Sequence, residues 1–370
     1  MLSSPGMTTA AALFLAEAPE GPVRFGDYRV LSRIAEGGMG LILRGQDCVD
    51  GRIVALKTVR SARPADAAGI RREIAALRRV DHPGIVQLHD DGVWSGMPWM
   101  AMGLLEGQTL CHEMMSLWPN ASGSLVEGEE KRQRSEELPT TPARSRASRG
   151  RAYGSAWPAP APVAAGRLDD VFSIVAQLCL ALDHLHGHGL VHRDLKPTNV
   201  MIGDDGRATL FDFGLACSAR EPGAERGSGD ICVGTMEYAA PEQISGENVD
   251  ARADIYSLGC MLYELCTGQR PFDGDTSHEI AQSQLRLPPR PPSDLVADVP
   301  CALEELLLRM LAKRPDDRPA TAAEVGQRLT RIASRIHGCA YERLDLSVFT
   351  SMHGGGQGRA SGRSANRVGI

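Results

Sequence analysis

The chain has no Cys-x-x-Cys pair, no Gly-x-x-x-x-Gly-Lys-Ser/Thr segment, and aromatic side chains at only 5% of its positions. It also lacks any apolar run of the ~18–20 residues that crossing a bilayer needs. Each absence closes a class. The nine cysteines, at 48, 111, 179, 217, 232, 260, 266, 301 and 339, are odd in number and widely scattered. That pattern argues against a disulfide framework and for a reducing, cytoplasmic setting. The two longest apolar stretches, 171–182 and 255–266, are interrupted by Ser, Gln, Tyr and Glu and read as buried helices, with no membrane span. The apolar run at 10–16 is short and has no basic residue before it, which makes it a poor secretory signal. Without the Gly-Lys-Ser/Thr loop the chain is not a P-loop nucleotidase. Charge of one sign is lacking too: 40 basic residues stand against 46 acidic ones, a net −6, so no global basic field points to nucleic acid.

With 42% hydrophobic and 23% charged residues over 370 positions, the chain has enough apolar matter for a sizeable core, and its length suggests about two domains or lobes. Residues 1–24, rich in Ala, Ser and Pro, read as a flexible leader. Strand-like alternation begins at Tyr28, Val30 and Leu31. A glycine cluster at 37, 38 and 40 follows, then Leu41-Ile42-Leu43, and a further run, Ile53-Val54-Ala55-Leu56, ends at Lys57. Over 67–80 the period becomes helical, with Ile70, Ile74 and Leu77 on one face beside Glu73. His82-Pro83-Gly84 breaks that helix, and 85–88 is expected to resume as a strand. From about 117 to 166 Ser, Pro, Ala, Gly and charge dominate. So long a stretch cannot bury enough apolar surface to offset ordering entropy, and it reads as a disordered insertion. Helical spacing returns at Val171, Ile174, Leu178, Leu182 and Leu185, and further helices, including 254–267 and 303–311, run to about Ile336. Residues 338–370 read as a flexible tail. Strands first and helices second predict an α+β layout in two unequal lobes.

The strongest signal is His192-Arg193-Asp194-Leu195-Lys196-Pro197-Thr198-Asn199, followed by Asp212-Phe213-Gly214 and Ala240-Pro241-Glu242, with Val54-Ala55-Leu56-Lys57 and Glu73 upstream. In these motifs and their order the sequence resembles the eukaryotic-type (Hanks-type) protein kinases, and the bacterial serine/threonine kinases among them, over about 26–336. The resemblance implies a small β-rich N-lobe with one helix, about 26–105, and a larger helical C-lobe, about 106–336, interrupted by the insertion at 117–166.

Phosphoryl transfer needs charge neutralisation and in-line positioning more than covalent chemistry, and these residue types suit it. Asp212 and Asn199 offer hard oxygen ligands for Mg²⁺, with Mn²⁺ as a substitute. Asp194, five residues before Asn199 on one loop, can face the incoming hydroxyl and accept its proton. Lys196 can reach the transferring phosphate of ATP as a compact cation. Lys57 would hold the α- and β-phosphates, itself fixed by Glu73. The segment Ala35-Glu36-Gly37-Gly38-Met39-Gly40-Leu41-Ile42 fits the family's phosphate loop except that Ala35 replaces the first glycine. If position 35 needs a positive φ, the alanine costs about 1–2 kcal/mol; if it stays extended, the cost is small, and tolerance is the favoured outcome. A strand follows this loop and not a helix, which disfavours a dinucleotide-binding turn.

The resemblance further places Ala55 above and Met201 below the adenine. It makes Met102 the gatekeeper, with hinge backbone groups at Gly103 and Leu105. It aligns Leu77, Leu88, His192 and Phe213 into a hydrophobic spine anchored by Asp254, and pairs Glu242 with Arg318 as a structural ion pair. His184, His186 and His188 lie at the end of a helix, where histidines more often cap or face solvent than bind zinc.

Lys196 two residues after Asp194, and Gly234-Thr235 before Tyr238, resemble kinases that act on serine and threonine, so proteins with such acceptors are the expected partners. Thr235 is then a structural part of the substrate site. Two other readings compete. One is a pseudokinase that binds nucleotide as a scaffold, for which Ala35 alone speaks. The other is a small-molecule phosphotransferase such as an aminoglycoside kinase, against which the Ala-Pro-Glu segment speaks. Arg193 before Asp194 resembles kinases controlled through the segment 212–242, and a homodimer could then phosphorylate itself. A phosphoserine adds about −1.5 to −2 charges that an arginine can pair. Phosphopeptide mapping after incubation with ATP is expected to find phosphate on Ser228 or Ser218; a fully active enzyme unmodified there rejects the idea.

Overall fold

The computed structural model describes residues 23–37, 40–59, 64–118, 165–218 and 236–337. The leader up to residue 22, Gly38 and Met39, most of the expected insertion (119–164), Ser228, Thr235 and the tail from 338 lie outside the described residues.

The first part folds as an antiparallel sheet of six strands: β1 (Arg24–Phe25), β2 (Tyr28–Gly37), β3 (Gly40–Asp47), β4 (Ile53–Thr58), β5 (Leu88–Trp94) and β6 (Met97–Gly103), in spatial order β1-β2-β3-β4-β6-β5. Alternation along β3 and β4 gives the sheet two apolar faces. On one, Phe25, Tyr28, Leu43, Leu56 and Trp99 form a small core of their own, with the Phe25 and Trp99 rings 6.0 Å apart. Against the other packs helix α1 (Pro64–Leu77), whose Ile70, Ile74 and Leu77 are buried as their spacing foretold. The helix ends at Leu77, three residues short of the expected Val80.

The expectation of a strand over 85–88 is corrected. The named strand begins only at Leu88. Ile85 makes an isolated parallel bridge to Leu210, and the Val86 amide donates to the Leu210 carbonyl at 2.9 Å, so these buried residues serve the helical half and not the sheet.

The second part is built on β7 (Gln108–Thr109), α2 (Leu110–Leu117), α3 (Ala165–Gly187), β8 (Leu190–Val191), β9 (Val200–Ile202), β10 (Ala208–Leu210), β11 (Cys217–Ser218), α4 (Pro241–Ser245), α5 (Ala251–Thr267), α6 (Ser277–Arg286), α7 (Cys301–Met310) and α8 (Ala322–His337). The described helices reach into both ends of the stretch expected to be disordered. Leu117 closes α2, the Trp118 indole donates to the Leu265 carbonyl at 3.1 Å, and α3 starts at Ala165.

Helix α5 is apolar nearly all round, which marks the centre of a core. Every residue from 253 to 267 is buried. Asp250 caps its start by accepting from the Arg252 amide, and Gly268 at φ 69° closes it. The other helices pack around it. Beside them the Arg318 guanidinium, itself buried, makes five donations: two to the Glu242 carboxylate at 2.6 and 2.8 Å, and one each to the carbonyls of Ala312, Arg252 and Lys313. All its donors are used, which a lysine cannot reproduce. Among the described residues no helix is long and apolar enough to cross a membrane.

Removing Arg318 leaves the Glu242 carboxylate buried without its partner. Arg318→Ala is expected to lower the free energy of unfolding by about 3–5 kcal/mol, with Arg318→Lys also clearly destabilised, both read from urea melts.

Candidate functional site

Three separate elements meet in the crevice between sheet and helices. Lys57 comes from β4, Glu73 from the buried face of α1, and Asp212 from the loop after β10. The Lys57 ammonium contacts Glu73 at 2.7 Å and Asp212 at 2.9 Å, and Lys57 and Glu73 are only 5% and 1% exposed. Burial works to discharge Lys57, but the two carboxylates outweigh it and raise its pKa, so the amine stays charged. Asp212 is likewise pulled below the usual carboxylate range: burial opposes ionisation, and Lys57, with Lys196 and His192 farther off, overcomes it. Glu73 is lifted, mainly by burial and further by Asp212. Its other oxygen accepts from the Phe213 amide at 3.2 Å, so α1 is tied to both sides of the crevice.

The loop 192–199 is held from below by one buried carboxylate. Asp254, near the start of α5, accepts from the amides of His192 and Arg193, each at 2.9 Å, and meets His186 Nε2 at 2.8 Å. Burial alone would raise its pKa; the His186 hydrogen bond leads the effects that lower it instead. Gln243 of α4 donates to the Arg193 carbonyl at 2.7 Å. Thus braced, Arg193 takes φ 66°, and Asp212 also sits at φ 66°. Two non-glycine residues in the left-handed region, both in this crevice, are strain that the surroundings must hold in place.

Asp194 is buried. Its Oδ2 accepts from Lys196 Nζ at 2.9 Å and from Asn199 Nδ2 at 3.2 Å, and the same Asn199 amide reaches the Asp194 carbonyl at 2.9 Å. Among the described residues Asp194 Oδ1 carries no hydrogen bond, so that oxygen is left open. Since the Asn199 amide nitrogen is committed, its carbonyl oxygen is turned to other use. That oxygen and the second oxygen of Asp212 are both hard donors. Among the described residues no three His, Cys, Asp or Glu converge as an all-protein metal site. A divalent cation on this pair would therefore need phosphate oxygens and water to complete its shell, which is how Mg²⁺ is commonly held.

The described residues of the expected phosphate loop, 35–37 and 40–42, lie on β2 and β3. Ala35 stands opposite Ile42, Glu36 opposite Leu41, and Gly37 opposite Gly40; Glu36 accepts from Arg33 at 2.8 Å. Ala35 is extended strand and is not among the positive-φ residues, so the alanine carries no backbone strain. Gly40 is the residue that cannot change: at φ 142° a Cβ there would stand 2.4 Å from the Thr58 carbonyl oxygen. Ala55 and Met102 are paired across β4 and β6, both buried, and Met201 is half-buried on β9. The Gly103 amide is occupied by the Gln87 carbonyl at 2.9 Å, so Gly103 offers a ligand its carbonyl only; Leu105 follows, half-buried. The His192 and Phe213 rings lie 4.8 Å apart, with Leu77 buried and Leu88 packed on the same core.

The roles of Gln243 and of His186 were not read from the sequence. Gln243 works through a backbone contact that no spacing encodes. The expectation that His186 caps or faces solvent is corrected, because Asp254 claims it.

Sheet, helix and crevice together define a two-lobed phosphotransferase scaffold. The protein kinase domain model matches residues 165–328, and the model of a phosphotransferase enzyme family matches 50–219. The chain is 32% identical over 312 residues to the serine/threonine-protein kinase PknB of Mycolicibacterium smegmatis, covering 82% of this chain and 43% of that protein. It is 33% identical over 306 residues to the DNA damage-responsive serine/threonine-protein kinase RqkA of Deinococcus radiodurans, covering 82% and 39%. To the serine/threonine-protein kinase Pkn1 of Myxococcus xanthus it is 34% identical over 318 residues, covering 83% and 38%. The chain belongs to the protein kinase family, in the bacterial Hanks-type serine/threonine branch. It spans less than half the length of these relatives. The family uses ATP and a divalent metal.

Lys57→Met would leave two carboxylates facing each other out of water. It is expected to lower the unfolding free energy by about 3–5 kcal/mol, and adding Glu73→Gln should restore much of that loss in a double-mutant cycle.

Proposed function

We propose that this chain transfers the γ-phosphoryl group of Mg²⁺–ATP to serine and threonine hydroxyls of proteins, itself included. The observation that carries the reading is the Lys57–Glu73–Asp212 contact set together with Asp194, whose Oδ2 accepts from Lys196 and Asn199 while its Oδ1 carries no hydrogen bond among the described residues.

Lys57 binds the α- and β-phosphates, and Glu73 keeps the amine aimed and charged. Asn199 and Asp212 would hold the divalent metal ion, which would neutralise charge on the phosphate oxygens. Asp194 Oδ1 accepts a hydrogen bond from the acceptor hydroxyl, turns an oxygen lone pair toward the γ-phosphorus, and takes the proton as the new P–O bond forms and the bond to the bridging oxygen breaks. Lys196 sits 2.9 Å from Asp194 and offsets charge at the transferring group. Ala55, Met102 and Met201 give the base an apolar slot, and Gly37 and Gly40, paired at the end of β2 and the start of β3, bring backbone toward the phosphates.

The relatives' names support serine and threonine as acceptors. A small-molecule acceptor is the second reading, since the phosphotransferase family model covers 50–219, the crevice side of the chain. The Ala240-Pro241-Glu242 segment, locked to Arg318, favours the protein substrate.

Asp194→Asn is expected to lower kcat about 10²–10⁴-fold toward a general protein substrate while the fold persists. Wild-type rates in that variant, or phosphate delivered only to aminoglycosides, would reject the assignment.

A further inference from the structure

Beyond Leu77 the chain leaves α1 and is fastened to the helical half by backbone bonds: Leu210 N–H donates to the Gly84 carbonyl and Val86 N–H to the Leu210 carbonyl, both at 2.9 Å. Inside this turn stands His82, buried, its Nδ1 accepting from the Gly84 amide at 3.0 Å. Its ring lies 5.1 Å from that of His184 on α3, and the His184 ring lies 4.5 Å from that of His188 just past the helix end. His188 Nδ1 in turn meets the His184 carbonyl at 2.9 Å. The charged groups around this column are Asp81 on the turn, Asp183 on α3 and Arg79 after α1. Arg79 donates to the His188 carbonyl, and Asp183 accepts from the Ala323 amide of α8 at 3.3 Å.

Three imidazoles this close, with planes tilted by 36° and 46° between neighbours, disfavour holding more than one proton, because adjoining cations repel. His188 is exposed and lies beside the terminal carbonyls of α3. A second proton, on His184 or His82, would put two cations in adjoining rings with Arg79 close by. Burial, and then the neighbouring ring, hold His82 down to about 4 and pull His184 below its ordinary value, while Asp81 works in the opposite direction. A histidine depressed in the folded state lends stability that is full above its unfolded value near 6.5, declines as pH falls below it, and is gone by about 4.

We propose that the His82–His184–His188 column positions α1 and acts as an acid-sensitive clasp: with at most one ring protonated the turn stays seated on α3, and a second proton unseats it and draws Glu73 away from Lys57. The three histidines are positioning residues, touching neither nucleotide nor acceptor, and the inference rests on the reading of Lys57 and Glu73 given above. Glu73 lies nine residues before His82 on a helix whose C-terminal end leads directly into the turn, so a shift of the turn is transmitted as a tilt of α1.

The test compares the full chain with His184→Phe, which keeps a flat ring between its neighbours and cannot take a proton. Between pH 7.5 and pH 5.0 the wild type is expected to lose at least fivefold more kcat than the variant, with the KM for ATP changing less than kcat. Amide hydrogen exchange over residues 74–86, corrected for intrinsic rates, should speed up about tenfold across that interval in the wild type and stay flat in the variant. Superimposable pH profiles and exchange rates in the two proteins overturn the proposal. Should His184→Phe lack a cooperative melt at pH 7.5, His188→Gln, at an exposed position, supplies the same comparison with the same expected outcome. If the wild type transfers no phosphate at any pH, the functional reading has failed and the exchange arm alone decides for or against the clasp.

Discussion

One ammonium group organises the crevice. Lys57 lies between two carboxylates that reach it from positions 73 and 212, and all three are largely withdrawn from water. Desolvating such a set is costly, and it is stable only while every charge has its partner. The same demand fixes larger parts. Because Glu73 must meet Lys57, α1 must lie against the sheet. Because Glu73 also receives the Phe213 amide, the loop carrying Asp212 must pass beneath α1. Placing a single charge therefore sets a helix and the loop that carries Asp212.

Asp254 does comparable work from the other side. Fully buried in α5, it accepts two consecutive amides of the 192–199 loop, which lets Arg193 keep a backbone conformation it would not adopt unaided. The loop is then held where it matters, and within it Asp194 accepts from both Lys196 and Asn199. Glu242 and Arg318, by contrast, are saturated by each other and by main-chain carbonyls. They have nothing left to offer a substrate, and their contribution is to stability. Three buried acids in one half of the molecule thus serve distinct ends, and what separates them is which donors each has already accepted.

Much of this was readable in the chain. Apolar spacing at 70, 74 and 77 and at 171, 174, 178, 182 and 185 foretold buried helix faces, because a helical period leaves few other ways to hide those side chains. The charged residues of the site could be picked out because phosphate chemistry admits few residue types and the spacing of 194, 196 and 199 keeps them on one loop. The strand expected at 85–88 was misread, since a short apolar run looks the same whether it pairs within a sheet or bridges to another half. Helix ends moved by a few residues for a similar reason: what stops a helix is the partner its last turn meets.

Residue identity by itself determined which chemistry the chain can carry and where its regular elements lie, because both depend on side-chain type and local period. Tertiary structure decided what contacts what: that Ala35 is unstrained while Gly40 is irreplaceable, that Gln243 braces Arg193, and that three histidine rings adjoin while a fourth serves Asp254. Those outcomes turn on a few ångströms between segments distant in sequence, and such distances are set by packing the whole chain at once.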